Sequence, residues 1–163
     1  KTSKVTNMYR VFYNCNKLTN LDLSGWDTSK VIDMRYMFTA CTVLKSLDVS
    51  DWDTSEVTDM NSMFYNCRNL TSLDLSSFDT SKVTAMYNML SGCSKLASLD
   101  SMMNISTSLS LSGTILDTTS LLDVIDNLAT VTTARTLTLG TTLLAKLTEE
   151  QIAVATNKGW TVA

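Results

Sequence analysis

Residues 18–43 (LTNLDLSGWDTSKVIDMRYMFTACTV) return from Leu44 and again from Leu70 with the same residue types in the same places, a strict period of 26 residues. The aligned columns are Leu18/Leu44/Leu70/Leu96, Leu21/Leu47/Leu73/Leu99, Asp22/Asp48/Asp74/Asp100, Trp26/Trp52/Phe78, Val31/Val57/Val83, Met34/Met60/Met86, Phe38/Phe64/Leu90 and Cys41/Cys67/Cys93. Self-similarity at this period predicts repeats stacked along one axis. A lone unit has too few apolar side chains to offset the ordering of its own backbone, so neighbouring units must bury one another's faces.

Two periods alternate inside each unit. In Leu18-Thr-Asn-Leu21-Asp-Leu23-Ser, apolar and polar residues alternate as in a half-buried strand. Further on, Met34, Met37, Phe38 and Cys41 stand at i, i+3, i+4 and i+7, the spacing of one helix face. Each unit therefore reads as strand, turn, short helix, turn, which supplies the crossover that parallel strands require. The expected fold class is α/β: a solenoid with a parallel β-sheet on its concave face and short helices on its convex face.

Lys1-Thr-Ser-Lys-Val5 aligns with Asp27-Thr-Ser-Lys-Val31, so the chain opens halfway through a unit, and with no initiating Met or signal segment it reads as a monomeric piece of a longer protein. Regular units, the first truncated, are expected over residues 1–100. At Ser101-Met102-Met103-Asn104 the expected apolar residue and aromatic turn are missing, and residues 101–163 read as degenerate repeats and a C-terminal cap that continue the same domain. Within the cap, Ser108–Gly113 repeats the alternation of Leu21–Gly25, Asp117-Thr-Thr-Ser120 leads into a longer helix with Leu121, Ile125 and Leu128 inward, and Thr136–Gly140 reads as a strand. Thr148-Glu-Glu-Gln151 fits a capping box, Gly159 a helix stop, and Trp160–Ala163 a last strand.

Several function classes are excluded by composition. A net charge of −3 gives no basic footprint for nucleic acid, and no apolar run approaches the roughly 20 residues that a membrane span requires. Cys15, Cys41, Cys67 and Cys93 recur on the apolar face one repeat apart, too far for disulfides between packed neighbours, and read as free buried thiols. With no histidine and no Cys-x-x-Cys pair, neither a zinc site nor a Ser-His or Cys-His catalytic pair is expected. No cofactor is expected either.

Stacking turns each repeated polar residue into a row. Asp22, Asp48, Asp74 and Asp100, with Ser24, Ser50 and Ser76 beside them, are expected on the open face of the sheet and form the candidate ligand face. Carboxylates about 4.8 Å apart repel one another unless solvated, hydrogen-bonded or bridged by cations. The row reads either as a surface for a polar ligand or calcium, or as a solvated ladder that keeps this face soluble; a flat row does not wrap a calcium ion. Asp27, Asp53 and Asp79, each opening Asp-Thr-Ser, read as turn and helix-entry acceptors. Trp26, Trp52 and Phe78 read as packing at the bend or as an exposed strip for sugars, and Tyr9, Arg10, Tyr13, Arg35, Tyr36, Tyr65 and Asn66 fall on the convex side.

The pattern L-x-x-L-D-L-S-x-W-D-T-S-x-V-x-x-M-x-x-M-F-x-x-C, as it stands at Leu18–Cys41 and, with Val49 for the third Leu, at Leu44–Cys67, resembles the BspA-like leucine-rich-repeat surface proteins of bacteria and the related repeat lipoproteins of mycoplasmas. The segment from Leu144 to Trp160 looks like the ending of such arrays in gut-bacterial surface proteins and some phage-associated proteins. The resemblance implies a curved leucine-rich-repeat domain displayed outside a cell or on a virion, binding a protein or glycan in adhesion, with no catalytic residues. A stiff spacer rod in a larger surface protein and a phage receptor-recognition component are the alternatives.

Overall fold

In the computed structural model, which describes all 163 residues, the backbone hydrogen bonds of the repeated units divide between local turns and the neighbouring unit. The N–H groups of Ile32, Thr58 and Thr84 donate to the Thr6, Ile32 and Thr58 carbonyls at 2.8–2.9 Å, and parallel bridges join Asn7 to Asp33, Asp33 to Asp59, and Asp59 to Ala85. Identical segments therefore lie in register, rung on rung. Their apolar residues merge into one core of 41 buried residues that runs from Met8 to Trp160.

The segment carrying Met34, Met37, Phe38 and Cys41 is not the short helix its spacing predicts. Its odd-position N–H groups close local turns (Met37 to the Met34 carbonyl, 3.3 Å; Cys41 to the Phe38 carbonyl, 3.1 Å). The alternate ones, from Met34, Tyr36, Phe38 and Ala40, donate at 2.8–3.1 Å to carbonyls of the next rung. This alternation requires positive φ at Tyr36 (56°) and Ala40 (60°), and it recurs at Arg10 and Asn14, at Ser62 and Asn66, and at Gly92. A helix would have spent every N–H inside its own rung. The successive turns place all four apolar side chains fully inside, as a helix would have done.

The expected sheet across all four rungs is also much reduced. Only β1 (Ser72–Asp74) and β2 (Ser98–Asp100) pair, in parallel register with Leu73 opposite Leu99. Two aromatic stacks run through the rungs. Phe12, Phe38 and Phe64 stand 5.3 and 5.5 Å apart, whereas Trp26, Trp52 and Phe78 stand 6.4 and 6.5 Å apart beside the strand segments. Hydrogen-bonded strands need about 4.8 Å. The Trp26, Trp52 and Phe78 stack runs beside the first three strand segments, among which no strand pairing forms, and the ladder closes where Met102 follows Phe78. Trp52 and Phe78 are buried, and Trp26 is half-buried at the end of the stack, so this column is packing and not an exposed strip.

Asp79 bridges Met103, which places the buried Met102 behind Phe78 and makes this rung shorter than its predecessors. Ser108–Gly113 does not extend the strand side as its alternation suggests. Ser110 N–H donates to the Tyr87 carbonyl and Gly92 N–H to the Ser112 carbonyl, so the segment stacks on the turn side. There β3 (Leu109–Ser110) opens a second parallel sheet with β4 (Arg135–Thr138) and β5 (Trp160–Val162).

On the strand side, α1 (Thr118–Asp126) takes the place of the next strand. Ser120 Oγ accepts from Leu99 N–H at 3.0 Å and Asp123 Oδ2 from Ser101 N–H at 2.6 Å, so side chains of α1 satisfy the free edge of β2. A short α2 (Thr141–Leu144) follows β4, and α3 (Glu149–Asn157) starts in a capping box of Thr148 and Gln151. Gly159 lies so close to Val131 that a Cβ there would meet its carbonyl oxygen at 2.3 Å.

No disulfide forms. Cys41, Cys67 and Cys93 are buried and Cys15 is half-buried. Each buried thiol donates to the carbonyl of the phenylalanine one rung back, Cys41 to Phe12, Cys67 to Phe38 and Cys93 to Phe64, at 3.1–3.2 Å. No helix is long and apolar enough to cross a membrane.

Candidate functional site

The expected ligand face is a series of Asx turns. Asp22, Asp48 and Asp74 each lie between inward leucine or valine side chains and fold back onto the N–H two residues ahead (Asp22 Oδ1 accepts from Ser24 at 2.9 Å, Asp48 from Ser50 at 3.1 Å, Asp74 from Ser76 at 2.9 Å), whereas Asp100, followed by Ser101, makes no such turn. The Ser50 and Ser76 hydroxyls add bonds of 2.7 and 2.6 Å to the same oxygen. Serine bonds hold the Asp22, Asp48 and Asp74 carboxyls below the usual carboxylate range. In each case Oδ1 is spent locally and Oδ2 takes no protein donor. The row therefore presents solvent with one unengaged carboxylate oxygen per rung.

The row is not one continuous site. Asp22, Ser24 and Asp48 border a cleft of about 90 Å³ between the first two strand segments. Asp48, Asp74 and Asp100 share a shallow groove of about 280 Å³ with Ser46, Ser72 and Ser98. The largest recess, about 650 Å³, lies where the row meets α1 and brings Asp74, Ser76 and Asp100 together with Asp117, Asp123, Ser120 and Asn127. Ser50 borders none of these spaces and serves its own turn.

The α1 residues were not among the expected site residues. Asp117 is the N-cap, accepting from Ser120 N–H at 2.8 Å, a bond that holds its carboxyl low. Asp123 also accepts from the Asn127 amide at 3.2 Å. The Asp117-Thr-Thr-Ser120 cap was legible in the chain, but its placement beside Asp100 depends on the shortened rung. Although carboxylates gather here, no group of three or more His, Cys, Asp or Glu side chains is placed to hold a metal ion. Asp117 and Asp123 are already committed to backbone N–H groups.

Two further columns repeat the Asx turn. Asp27, Asp53 and Asp79 accept from Ser29, Ser55 and Ser81 N–H at 3.1, 3.0 and 2.9 Å. Asn7, Asp33 and Asp59 accept from Tyr9, Arg35 and Asn61 N–H at 2.7, 3.0 and 2.9 Å. Between them, the buried hydroxyls of Thr28, Thr54 and Thr80 donate to carbonyls of the following rung at 2.9, 3.1 and 2.8 Å. These columns are structural.

On the turn side, Arg35 pairs with Asp33 at 2.7 Å and Asp59 at 3.7 Å, and Arg10 lies 4.7–5.3 Å from the ring centres of Tyr9, Tyr13 and Tyr36. Chemically, the aspartate face can accept hydrogen bonds from hydroxyl, amide or ammonium donors. Its Ser50 and Ser76 hydroxyls are already donated to the carboxylates beside them.

Residues 1–127 match the model of a family described as "Mycoplasma protein of unknown function, DUF285", a match that runs past residue 100 through the whole of α1. No curated protein and no solved structure matches the chain.

Proposed function

Because the chain belongs to this Mycoplasma-associated family, DUF285, we propose that it is a non-catalytic recognition module: a leucine-rich-repeat solenoid of the BspA-like kind, displayed on a cell surface and binding a protein or glycan partner. The observation that carries the reading is the row of unengaged carboxylate oxygens on Asp22, Asp48 and Asp74, leading into the recess under α1. Acceptors repeated once per rung suit a ligand that repeats its own donors, such as sugar hydroxyls or the cationic side chains of an extended peptide.

The test is binding of the purified chain to arrays of glycans and matrix proteins, with the double variant Asp48→Asn, Asp74→Asn as comparison. These substitutions keep the shape and the Asx acceptor while removing the charge. Retention on the wild-type chain and its loss on the double variant supports the reading; equal retention of both removes the aspartate row from recognition.

A second reading, a stiff spacer, is favoured by the two aromatic stacks and the rung-to-rung hydrogen bonds, which tie each regular rung to the next. Function that survives replacement of the whole array by an unrelated rod of equal length selects this reading over the first.

A further inference from the structure

We propose that the groove around Arg135, where the stacking register shortens, binds a sulfate or phosphate ester carried on a sugar. The groove follows from chain geometry. The Thr28 and Thr54 hydroxyls reach carbonyls 25 residues ahead, but Thr80 reaches Met103, 23 residues ahead. The rung after Thr80 thus lacks the residues that would cover Lys82 to Thr84. Contact resumes only at Tyr87, whose carbonyl accepts from Ser110. The Ile32 and Thr58 carbonyls each accept an N–H from the next rung, and the Thr84 carbonyl receives none.

Two neighbouring spaces of about 450 and 250 Å³ open there, and Thr84, Thr107 and Arg135 border both. Neither is bordered by any Asp or Glu, in a chain whose acids outnumber its bases 16 to 13. Arg135 donates through Nε to the Ser106 carbonyl at 3.0 Å, which fixes the guanidinium plane while both terminal nitrogens stay without a protein acceptor. No carboxylate pairs with it. Lys82 lines the same space, with its ammonium paired to Glu56 at 2.6 Å.

Thr107 borders both spaces. It is 8% exposed, and its hydroxyl makes no hydrogen bond. Buried hydroxyls are ordinarily satisfied. A planar, pre-oriented guanidinium with free terminal donors matches two oxygens of a tetrahedral oxyanion, and Thr132 and Thr133 line the same space with hydroxyls that can serve a third. The open Thr84 carbonyl accepts a hydroxyl from the carrier, which favours an ester on a sugar over a free inorganic ion.

The test is titration of the full chain with galactose 6-sulfate, galactose 6-phosphate and galactose, followed by amide chemical shifts and calorimetry. At least one ester should move the Thr107, Thr132 and Thr133 amides, and the stronger of the two identifies the source of the anion. Arg135→Gln should weaken that binding at least about tenfold, Lys82→Gln about two- to fivefold, and added salt should weaken it further. If Arg135→Gln does not fold, Arg135→Lys serves, which keeps the charge and loses the fork.

Three results overturn the proposal: no shift with either ester at about 20 mM, far above the range of a specific site; undiminished binding by the Arg135 variants; or galactose binding as tightly as its esters. The Asp48→Asn, Asp74→Asn chain should bind the ester unchanged, so this proposal and the aspartate-face reading fail separately.

Discussion

Replacing Ala40 by glycine should stabilise the protein, and the sign of that change separates the observed turns from the helix suggested by the apolar spacing. Ala40 has φ 60°, in a column whose other members are Asn14, Asn66 and Gly92, residue types that tolerate this region. The left-handed conformation costs a residue with a Cβ about 1–2 kcal/mol. Glycine removes that strain and returns about 0.4–1 kcal/mol through the greater freedom of its unfolded chain. The net expectation for Ala40→Gly is a gain of about 0.8 kcal/mol, midway in a range of about 0 to 1.6, or some 2–3 °C in Tm for a chain of this size. In a helix the same change would cost about 1 kcal/mol.

Gly92→Ala is the reciprocal experiment. It imposes the strain and sets a Cβ 2.3 Å from Asn66 Oδ1, so a loss of about 1–3 kcal/mol is expected. Urea unfolding followed by the fluorescence of the buried Trp52 reads both variants. A destabilised Ala40→Gly together with a neutral Gly92→Ala would refute the left-handed turns and restore the helix.

Other perturbations test the remaining columns. In native protein at pH 8, iodoacetamide should modify Cys15 alone, because burial pushes the Cys41 thiol up to about 11 and leaves only about one thiolate in a thousand; mass spectrometry showing modification of Cys41, Cys67 or Cys93 before unfolding would contradict their packing. Hydrogen bonds lower the folded pKa of Asp33, Asp53, Asp74 and Asp79 below the unfolded value near 3.9, so their contribution is complete above that value and is lost as pH falls through the folded pKa. Tm should therefore be flat from about pH 7 to 5 and fall below about pH 4, and a Tm that rises on acidification would be the opposing result. Thr54→Val leaves the Asp79 carbonyl without the donor it has at 3.1 Å and should cost about 1–3 kcal/mol in urea unfolding, whereas a neutral result would remove the threonine column from the account of stability.

The columns were legible because burial acts on residue type at fixed spacing. Leu44, Met60, Phe64 and Cys67 are all fully inside, and the Asp117 cap, the Thr148 capping box and the last strand stand where their local chemistry points. The backbone path was misread because turns with a left-handed residue every fourth position send residues i, i+3, i+4 and i+7 to the same side as a helix does. A signal was present in Asn14, Asn66 and Gly92, spaced by whole repeats, which favour positive φ and have no reason to recur in the same place on a helix. The recess under α1 and the groove at Arg135 were not legible at all. Both arise from a rung shortened by two residues, and the sequence shows the end of the period without showing which rung absorbs the loss.

The thiol column has a consequence for how such a chain can change in length. Cys41 meets the Phe12 carbonyl with the same atoms and the same distance range as Cys67 meets Phe38, so excising residues 44–69 would bring together two surfaces that already fit each other. Growth and shrinkage by whole rungs leave every type of contact intact, whereas loss of a residue or two opens a hole in the wall, as it does beside Lys82. Length in this architecture is quantised, and new crevices arise from the remainder.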